Sequence, residues 1–120
     1  MTMIVPGPSK EETSYIYVMV RKDICIEQQL VQVAHAAVEA GASFSASNET
    51  SNLVLLEADS REDLEKASFK LREAGIAHRL FFEPDNGLGH CAFATQPLRE
   101  TKDRRLFKRY RLYRQDAPGR

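Results

Sequence analysis

The sequence predicts a compact three-layer α/β domain, in which a mixed four-stranded sheet carries helices on both faces. The chain has 120 residues, the length of a single domain. Short apolar segments alternate with longer segments of helical spacing, in the order β-α-β-α-β-β-α. A strand–helix–strand order favours parallel pairing through crossover connections, and a final hairpin adds an antiparallel strand.

The first half of the chain predicts an arm, a strand and a helix. Residues 1–13 contain prolines and polar residues and predict a flexible N-terminal arm. Tyr15–Arg21 is almost continuously apolar, which is typical of a strand covered on both faces. A helix is predicted over residues 27–40, with Gly41 as its stop and a loop or a frayed helix end over 41–51. The apolar stripe expected to be buried on this helix consists of Leu30, Val33, Ala34 and Ala37.

The second half predicts a strand, a helix, a hairpin and a last helix. Residues 52–57 form the second strand, and Ser60 with Asp63 predicts the N-cap of the second helix. Gly75 followed by Ile76 predicts the end of that helix. The predicted hairpin pairs residues 78–83 with 91–95 through a turn at 84–87, and the last helix runs from 99 to about 105. The domain spans residues 14–114, with a flexible C-terminal tail over 115–120. The stripe expected to be buried on the second helix is Leu64, Ala67, Leu71 and Ala74.

Composition excludes several classes of protein. Hydrophobic residues make up 42% and charged residues 28% of the chain, which is typical of a globular domain rather than a disordered or collagen-like chain. Cys25 and Cys91 are too few for a disulfide framework, so free thiols in the cytoplasm are expected. No apolar run approaches the roughly 18 residues of a membrane span, so no membrane partner is expected. Standard nucleotide and metal motifs are absent and the three histidines are far apart, so we expect no cofactor and no metal.

Positive charge is concentrated at the C-terminal end. Residues 99–120 hold nine Lys or Arg and three Asp or Glu, whereas the whole chain holds 17 of each kind. A basic segment on an acidic body predicts contact with a polyanion such as tRNA or another RNA. The expected phosphate ligands are Arg104, Arg105, Lys108 and Arg109, and the aromatic residues expected to stack on bases are Phe107, Tyr110 and Tyr113. The alternative is a solvated terminal helix whose Leu106, Phe107 and Leu112 pack on the core.

Two polar clusters are candidates for chemistry. On the first helix Gln28, Gln32, His35 and Glu39 share a face, and the Glu39 carboxylate is placed to hold the His35 imidazole. The alternative is an ordinary polar face. Asp85 in the hairpin turn either caps its own backbone or positions a water molecule or a ribose hydroxyl. Lys22 and Asp23 follow the first strand, where sites of open α/β sheets lie, or else belong to a solvated loop.

The run from Gln32 to Ala37 resembles the Q-x-x-H-A-A signature of the type 2 peptidyl-tRNA hydrolase family. The preceding Val20-Arg21-Lys22-Asp23 is similar to the family's V-R-x-D, and Asp85-Asn86-Gly87 resembles its D-A-G loop. Residues 93–97 resemble the strand and proline before the family's final helix. The resemblance spans residues 15–114. It is greatest to the peptidyl-tRNA hydrolase domain-containing branch, which ends in an aromatic and basic stretch like residues 108–114.

The resemblance implies a cytosolic hydrolase that cleaves the ester between a peptide and the 3′ end of tRNA without a metal. It implies catalytic roles for Asp85, His35 and Gln32, with Lys22 or the basic tail holding tRNA. The chain departs from the family at Ile26-Glu27-Gln28-Gln29, where the family has lysines, and at Gly89, where it has threonine. Three functions therefore stand: an active esterase, a catalytically silent RNA-, nucleotide- or protein-binding domain, or an unrelated interaction module. A homodimer through a strand edge or an apolar helix face is a further expectation.

Overall fold

The computed structural model describes residues 13–44 and 51–115. Apart from Thr13 and Gln115, the predicted N-terminal arm and C-terminal tail lie outside the described residues, as do positions 45–50 of the predicted loop. A short 3₁₀ turn, Asp85–Gly87, connects the third and fourth strands, and a second one, Leu106–Arg109, follows the last helix. The strands and helices are β1 (Tyr15–Arg21), α1 (Ile26–Ser43), β2 (Asn52–Ala58), α2 (Arg61–Glu73), β3 (His78–Glu83), β4 (Gly89–Thr95) and α3 (Thr101–Arg105).

The four strands form one mixed sheet in the order β2-β1-β4-β3. β1 pairs with β2 in parallel, from Tyr15 opposite Asn52 to Arg21 opposite Ala58. β4 is antiparallel to both of its neighbours, β1 and β3. The α/β class and the mixed four-stranded sheet are therefore confirmed, and the predicted hairpin of β3 and β4 is confirmed with them.

The alternation of side chains along β1 separates two apolar cores, one on each face of the sheet. Tyr17 and Met19 point to the face that α2 covers, together with Phe107. Val18 and Val20 point to the face that α1 covers. The helices thus lie on both faces, as the three-layer prediction requires.

The outer edge of β2 is covered by the segment that follows the last helical turn. The Glu57 amide donates to the Arg111 carbonyl at 3.1 Å, and the Tyr113 amide donates to the Leu55 carbonyl at 2.9 Å. Leu112 lies opposite Leu56 in an antiparallel bridge. Among the described residues, no strand pairs with the outer edge of β3. Within residues 13–44 and 51–115 the sheet therefore has one covered edge and one open edge.

α2 forms as its sequence predicts at both ends. The Ser60 hydroxyl accepts a hydrogen bond from the Asp63 amide at 3.2 Å, which is the predicted N-cap. At the other end Gly75 has φ 76°, and the Ile76 amide donates to the Leu71 carbonyl at 2.9 Å, so a left-handed glycine ends the helix. Leu64, Ala67 and Leu71 are buried as predicted. Ala74 is exposed because it is the C-cap, so its predicted burial is wrong.

α1 differs from its prediction in length and in orientation. It runs through Gly41 to Ser43, so the predicted stop is wrong. Leu30 is 65% exposed and Ala34 is exposed, whereas the buried positions are Gln29, Gln32, Ala36 and Ala40. At about 100° per residue the buried face is rotated by roughly a quarter turn from the predicted stripe. The rotation is possible because both buried glutamines have hydrogen-bond partners, described below. Within residues 13–44 and 51–115, no helix has the length and apolarity to cross a membrane.

Candidate functional site

Gln32 is the centre of a polar cluster between α1 and the end of β3. Its side chain is fully buried. The amide nitrogen Nε2 donates to Glu83 Oε2 at 3.2 Å and to Gln28 Oε1 at 3.1 Å. The Oε1 oxygen of Gln32 is buried and has no hydrogen-bond partner among the described residues. A buried amide with one unsatisfied oxygen is unusual in a folded protein, which marks Gln32 as a candidate functional residue.

Glu83 is the carboxylate of this cluster. Its Oε1 accepts the backbone N–H of Asp85 at 3.1 Å, while its Oε2 accepts from Gln32. These two hydrogen bonds, the Asp85 one foremost, lower the pKa of Glu83, and the nearby His35 lowers it further. Glu83 is therefore an anion at neutral pH, held in a fixed orientation.

His35 lies beside the Gln32–Glu83 pair on the exposed side of α1. Its ring stacks on Phe81 of β3, with the ring centroids 4.5 Å apart and the planes within 9°. Glu39, the carboxylate predicted to hold this imidazole, pairs with Arg79 instead, with Nη2 and Oε2 3.2 Å apart. The imidazole is thus positioned by an aromatic ring, lies near the charge of Glu83, and stays accessible to solvent.

Asp85 contributes to the cluster through its backbone. It begins the turn Asp85–Gly87, in which Asn86 and Gly87 have φ 56° and 66°, and its side chain is exposed. Its N–H binds Glu83, and its carbonyl accepts from the Leu88 amide at 3.2 Å. The carboxylate that contacts Gln32 is thus Glu83, which sequence reasoning passed over. The available signal was its position as the first acid after the apolar run of β3.

Arg21 is the last residue of β1, and Lys22 and Asp23 follow it. Arg21 and Asp23 form a bidentate pair, with Nε to Oδ1 at 2.6 Å and Nη2 to Oδ2 at 2.8 Å. This pairing raises the pKa of Arg21 and lowers that of Asp23. Lys22 instead lies 3.5 Å from Glu57, sits over the ring of Tyr113 and donates to the Arg114 carbonyl. Lys22 is therefore bound to the C-terminal segment rather than grouped with Gln32.

The predicted RNA ligands Arg104, Arg105, Lys108 and Arg109 lie on α3 and the following turn, on the α2 side of the sheet. Phe107 is buried and stacks on Tyr17, with the ring centroids 3.9 Å apart. The Tyr113 hydroxyl donates to Gln29 Oε1 at 2.6 Å. The alternative that Phe107 packs on the core is confirmed, whereas Leu112, expected to pack with it, is 63% exposed. The structure thus brings Gln32, His35 and Asp85 together with Glu83 and places the basic residues on the other sheet face.

Comparison with known proteins identifies the fold but no family. No family model and no curated protein matches the chain. A solved structure from Agrobacterium tumefaciens, a protein of unknown function named Atu0240, is similar to it with a TM-score of 0.60 and 17% identity. The match covers 84% of this chain and 98% of that one. At this identity the similarity is one of fold alone.

The chemistry open to the Gln32–Glu83 cluster is that of an oriented carboxylate beside an accessible imidazole. Among the described residues, no three His, Cys, Asp or Glu side chains gather as metal ligands. An imidazole near a fixed anion can take a proton from water or from a hydroxyl group. The cluster therefore has the groups for proton transfer at a solvent-accessible surface.

Proposed function

We propose that the protein hydrolyses the ester that joins a peptide, or a related aminoacyl group, to the 3′ end of tRNA. The observation that carries the proposal is the Gln32–Glu83 hydrogen bond beside the exposed imidazole of His35. The Q-x-x-H-A-A resemblance of residues 32–37 supports the same reaction. The free thiols of Cys25 and Cys91 fit a reducing compartment, and we propose the cytoplasm as its location.

His35 is the proposed general base. Its imidazole takes a proton from a water molecule whose oxygen attacks the ester carbonyl, and a carbon–oxygen bond forms. The tetrahedral intermediate collapses as the bond to the ribose oxygen breaks, and the imidazolium returns the proton to that oxygen. Glu83 is a positioning residue because its fixed negative charge stabilises the imidazolium. Gln32 and the Asp85 amide hold Glu83 in place.

The test is multiple-turnover hydrolysis of a labelled peptidyl-tRNA by the purified protein. We expect His35→Ala and Glu83→Gln each to lower kcat by about 10²-fold or more, the usual contribution of an acid–base group. Asp85→Ala keeps the backbone N–H that binds Glu83, so it measures the Asp85 carboxylate alone. If that carboxylate is the group that positions water, as the resemblance implies, Asp85→Ala will match Glu83→Gln. If Asp85 acts through its N–H, activity will fall much less.

Glu39→Gln is the matched control, since Glu39 lies one turn from His35 on the same helix and pairs with Arg79. Its turnover should equal that of the wild type. Turnover that survives both His35→Ala and Glu83→Gln would contradict the proposed site. A folded wild-type protein without turnover would contradict the proposed reaction.

The second candidate is a catalytically silent domain that binds RNA, a nucleotide or a protein. The observation that favours it is the position of Lys22, which is held by Glu57 and the C-terminal segment rather than presented to a substrate at Gln32. The cations of α3 and the turn after it, Arg104, Arg105, Lys108 and Arg109, also lie on the opposite face of the sheet. In the same experiment this candidate predicts no turnover together with tRNA binding that weakens as salt is raised.

A further inference from the structure

A groove of about 620 Å³ lies on the sheet face opposite α1. Its floor is formed by side chains of β1 and β2 that project to the same face, namely Tyr15, Tyr17, Val54 and Leu56. One wall is formed by α3 and the turn that follows it. The volume is within the roughly 300–1,000 Å³ of small-molecule sites. None of the residues of the Gln32–Glu83 cluster lines it.

The floor of the groove is aromatic. Tyr17 is buried and stacks on Phe107, and Tyr15 lies beside Tyr17 with their ring centroids 6.5 Å apart. Tyr110 meets the edge of Phe107 and also lines the groove. Tyr15 and Tyr110 are only half-buried, so parts of their rings face the groove. A flat apolar group entering the groove would therefore meet aromatic surface.

The wall of the groove carries cations that have no carboxylate partner in the part of the chain that the structure describes. The guanidinium of Arg104 lies over the ring of Tyr15, 3.6 Å from its centroid, and Arg104 Nε is buried without a hydrogen-bond partner among the described residues. Arg105 and Lys108 line the same wall. Across the described ranges none of these three residues forms a salt bridge, whereas Arg111 nearby pairs with both Glu57 and Asp59. A buried guanidinium N–H without an acceptor is unusual, and an oxyanion in the groove would pair with the charge of this guanidinium.

We infer that this groove binds a nucleotide, with the base against Tyr15 and Tyr110 and the phosphate on Arg104, Arg105 and Lys108. Three cations within two helical turns exceed what one carboxylate neutralises and match a phosphate better. Base stacking on tyrosine with phosphate contacts from arginine and lysine is a recurrent way to bind unpaired nucleotides. The ligand is either a free mononucleotide or an unpaired nucleotide within an RNA strand. The site is separate from the proposed ester site and does not depend on hydrolysis.

The test is binding of a fluorescein-labelled eight-nucleotide single-stranded RNA, followed by anisotropy, with AMP and ribose 5-phosphate as competitors. Arg105→Gln and Lys108→Gln should each raise the Kd about three- to tenfold, and Arg104→Gln should raise it at least as much. Lys102→Gln is the control, because Lys102 is on the same helix, makes the same change of charge and lies outside the groove next to Glu100. Thermal unfolding of Arg104→Gln checks that the fold survives, and the exposed Arg105 and Lys108 variants test the site if it does not.

The outcomes distinguish a mononucleotide site, a site for a nucleotide within an RNA strand, and no nucleotide site at all. Competition by AMP that exceeds competition by ribose 5-phosphate, lost in the Arg105 and Lys108 variants, supports a mononucleotide site. RNA binding that AMP does not displace, but that the same variants weaken, supports a site for a nucleotide within a strand. Equal weakening by Lys102→Gln would overturn the site, as would displacement of the RNA by ribose 5-phosphate as strong as its displacement by AMP. Absence of any binding would overturn it without bearing on ester hydrolysis.

Discussion

α1 and α2 cover opposite faces of the same sheet, yet they are held to it by different forces. α2 buries an apolar stripe of Leu64, Ala67 and Leu71. α1 buries Gln29 and Gln32 beside two alanines. Its apolar side chains Leu30 and Val38 are instead 65% and 70% exposed. The helix that carries the candidate site is therefore the one whose pattern departs from the amphipathic rule.

Gln29 is stable in the buried face of α1 because both of its polar atoms find partners, whereas Gln32 has a bonded Nε2 and an Oε1 without a partner among the described residues. Gln29 Nε2 donates to the Ile24 carbonyl at 2.8 Å and to the Lys22 carbonyl at 3.3 Å. Gln29 Oε1 accepts the hydroxyl of Tyr113. Burial of an amide costs free energy unless such bonds are made. The comparison teaches that α2 is positioned by apolar burial, whereas α1 combines buried alanines with hydrogen bonds to the loop after β1, to β3 and to Tyr113.

The largest expected difference between the helices is in the free energy of unfolding that is lost when a leucine is replaced by alanine. Leu64→Ala should lower the free energy of unfolding by about 2–5 kcal/mol, because it leaves a cavity in the core under α2. Leu30→Ala should change it by less than about 0.5 kcal/mol, because that side chain is mostly exposed. Urea denaturation of both variants measures the difference. Equal losses would mean that the outward face of α1 is covered in solution.

An exchange of polar and apolar side chains at neighbouring positions of α1 tests the hydrogen bonds directly. Gln29→Leu should cost about 1–3 kcal/mol, because two carbonyls and the Tyr113 hydroxyl lose their partners. Leu30→Gln, the reverse change one residue later, should be nearly neutral. Denaturant midpoints compare the two. A neutral Gln29→Leu together with a costly Leu30→Gln would restore the amphipathic interpretation of α1.

The two helices also differ at their N-caps. Ser60→Ala removes the hydroxyl that accepts the Asp63 amide, and should cost about 1 kcal/mol of unfolding free energy. Cys25, the N-cap of α1, makes no side-chain cap hydrogen bond, so Cys25→Ala should leave stability unchanged. Thermal unfolding of both variants checks the pair. A loss at Cys25 as large as that at Ser60 would contradict the difference.

The smallest expected difference is in pH dependence. On the α2 side, burial lowers the pKa of His78, whose Nε2 lies 2.6 Å from Ser68 Oγ. The unfolded chain then binds the proton of His78 more readily than the folded chain does. The free energy of unfolding is therefore highest above pH 6.5, the ordinary pKa of histidine, and decreases as the pH falls below that value. On the α1 side, the hydrogen bonds that lower the pKa of Glu83 stabilise the fold above pH 4.5, and this stabilisation is lost only under more acidic conditions.

His78→Gln should flatten the pH dependence of unfolding just below pH 6.5, and Glu83→Gln should flatten it below pH 4.5. Denaturation at a series of pH values measures both. If both variants flattened the pH dependence in the same pH interval, the assignment of separate intervals to His78 and Glu83 would be wrong.

Local sequence patterns were sufficient for most of the elements. The apolar run of β3, the serine before α2 and the glycine after it each predict a boundary that the structure confirms, because each depends on neighbours in sequence. The rotation of α1 is different. Its sequence holds only two charged residues, Glu27 and Glu39, so several faces are compatible with burial. The choice depends on Glu83 and Tyr113, which are distant in the chain.

The candidate site was predicted only in part, because it too depends on contacts between residues that are distant in the chain. Gln32, His35 and Asp85 were chosen by pattern and lie together, yet the carboxylate in contact with Gln32 is Glu83. The pattern selects a turn but cannot show which acid of the turn points inward. Nor could composition place the basic residues across the sheet from α1, since that depends on Phe107 packing against Tyr17. The RNA partner and the homodimer remain predictions.

The C-terminal segment that covers β2 has a consequence for biosynthesis. Residues 111–113 follow all four strands in the chain, so during translation the edge of β2 is exposed until they emerge. An unpaired strand edge is a template for association with other chains. Emergence of residues 111–113 from the ribosome is therefore the step at which a nascent molecule ceases to present two such templates. A chain ended before Arg111 would retain both for its lifetime, and would be expected to be cleared or to aggregate rather than accumulate.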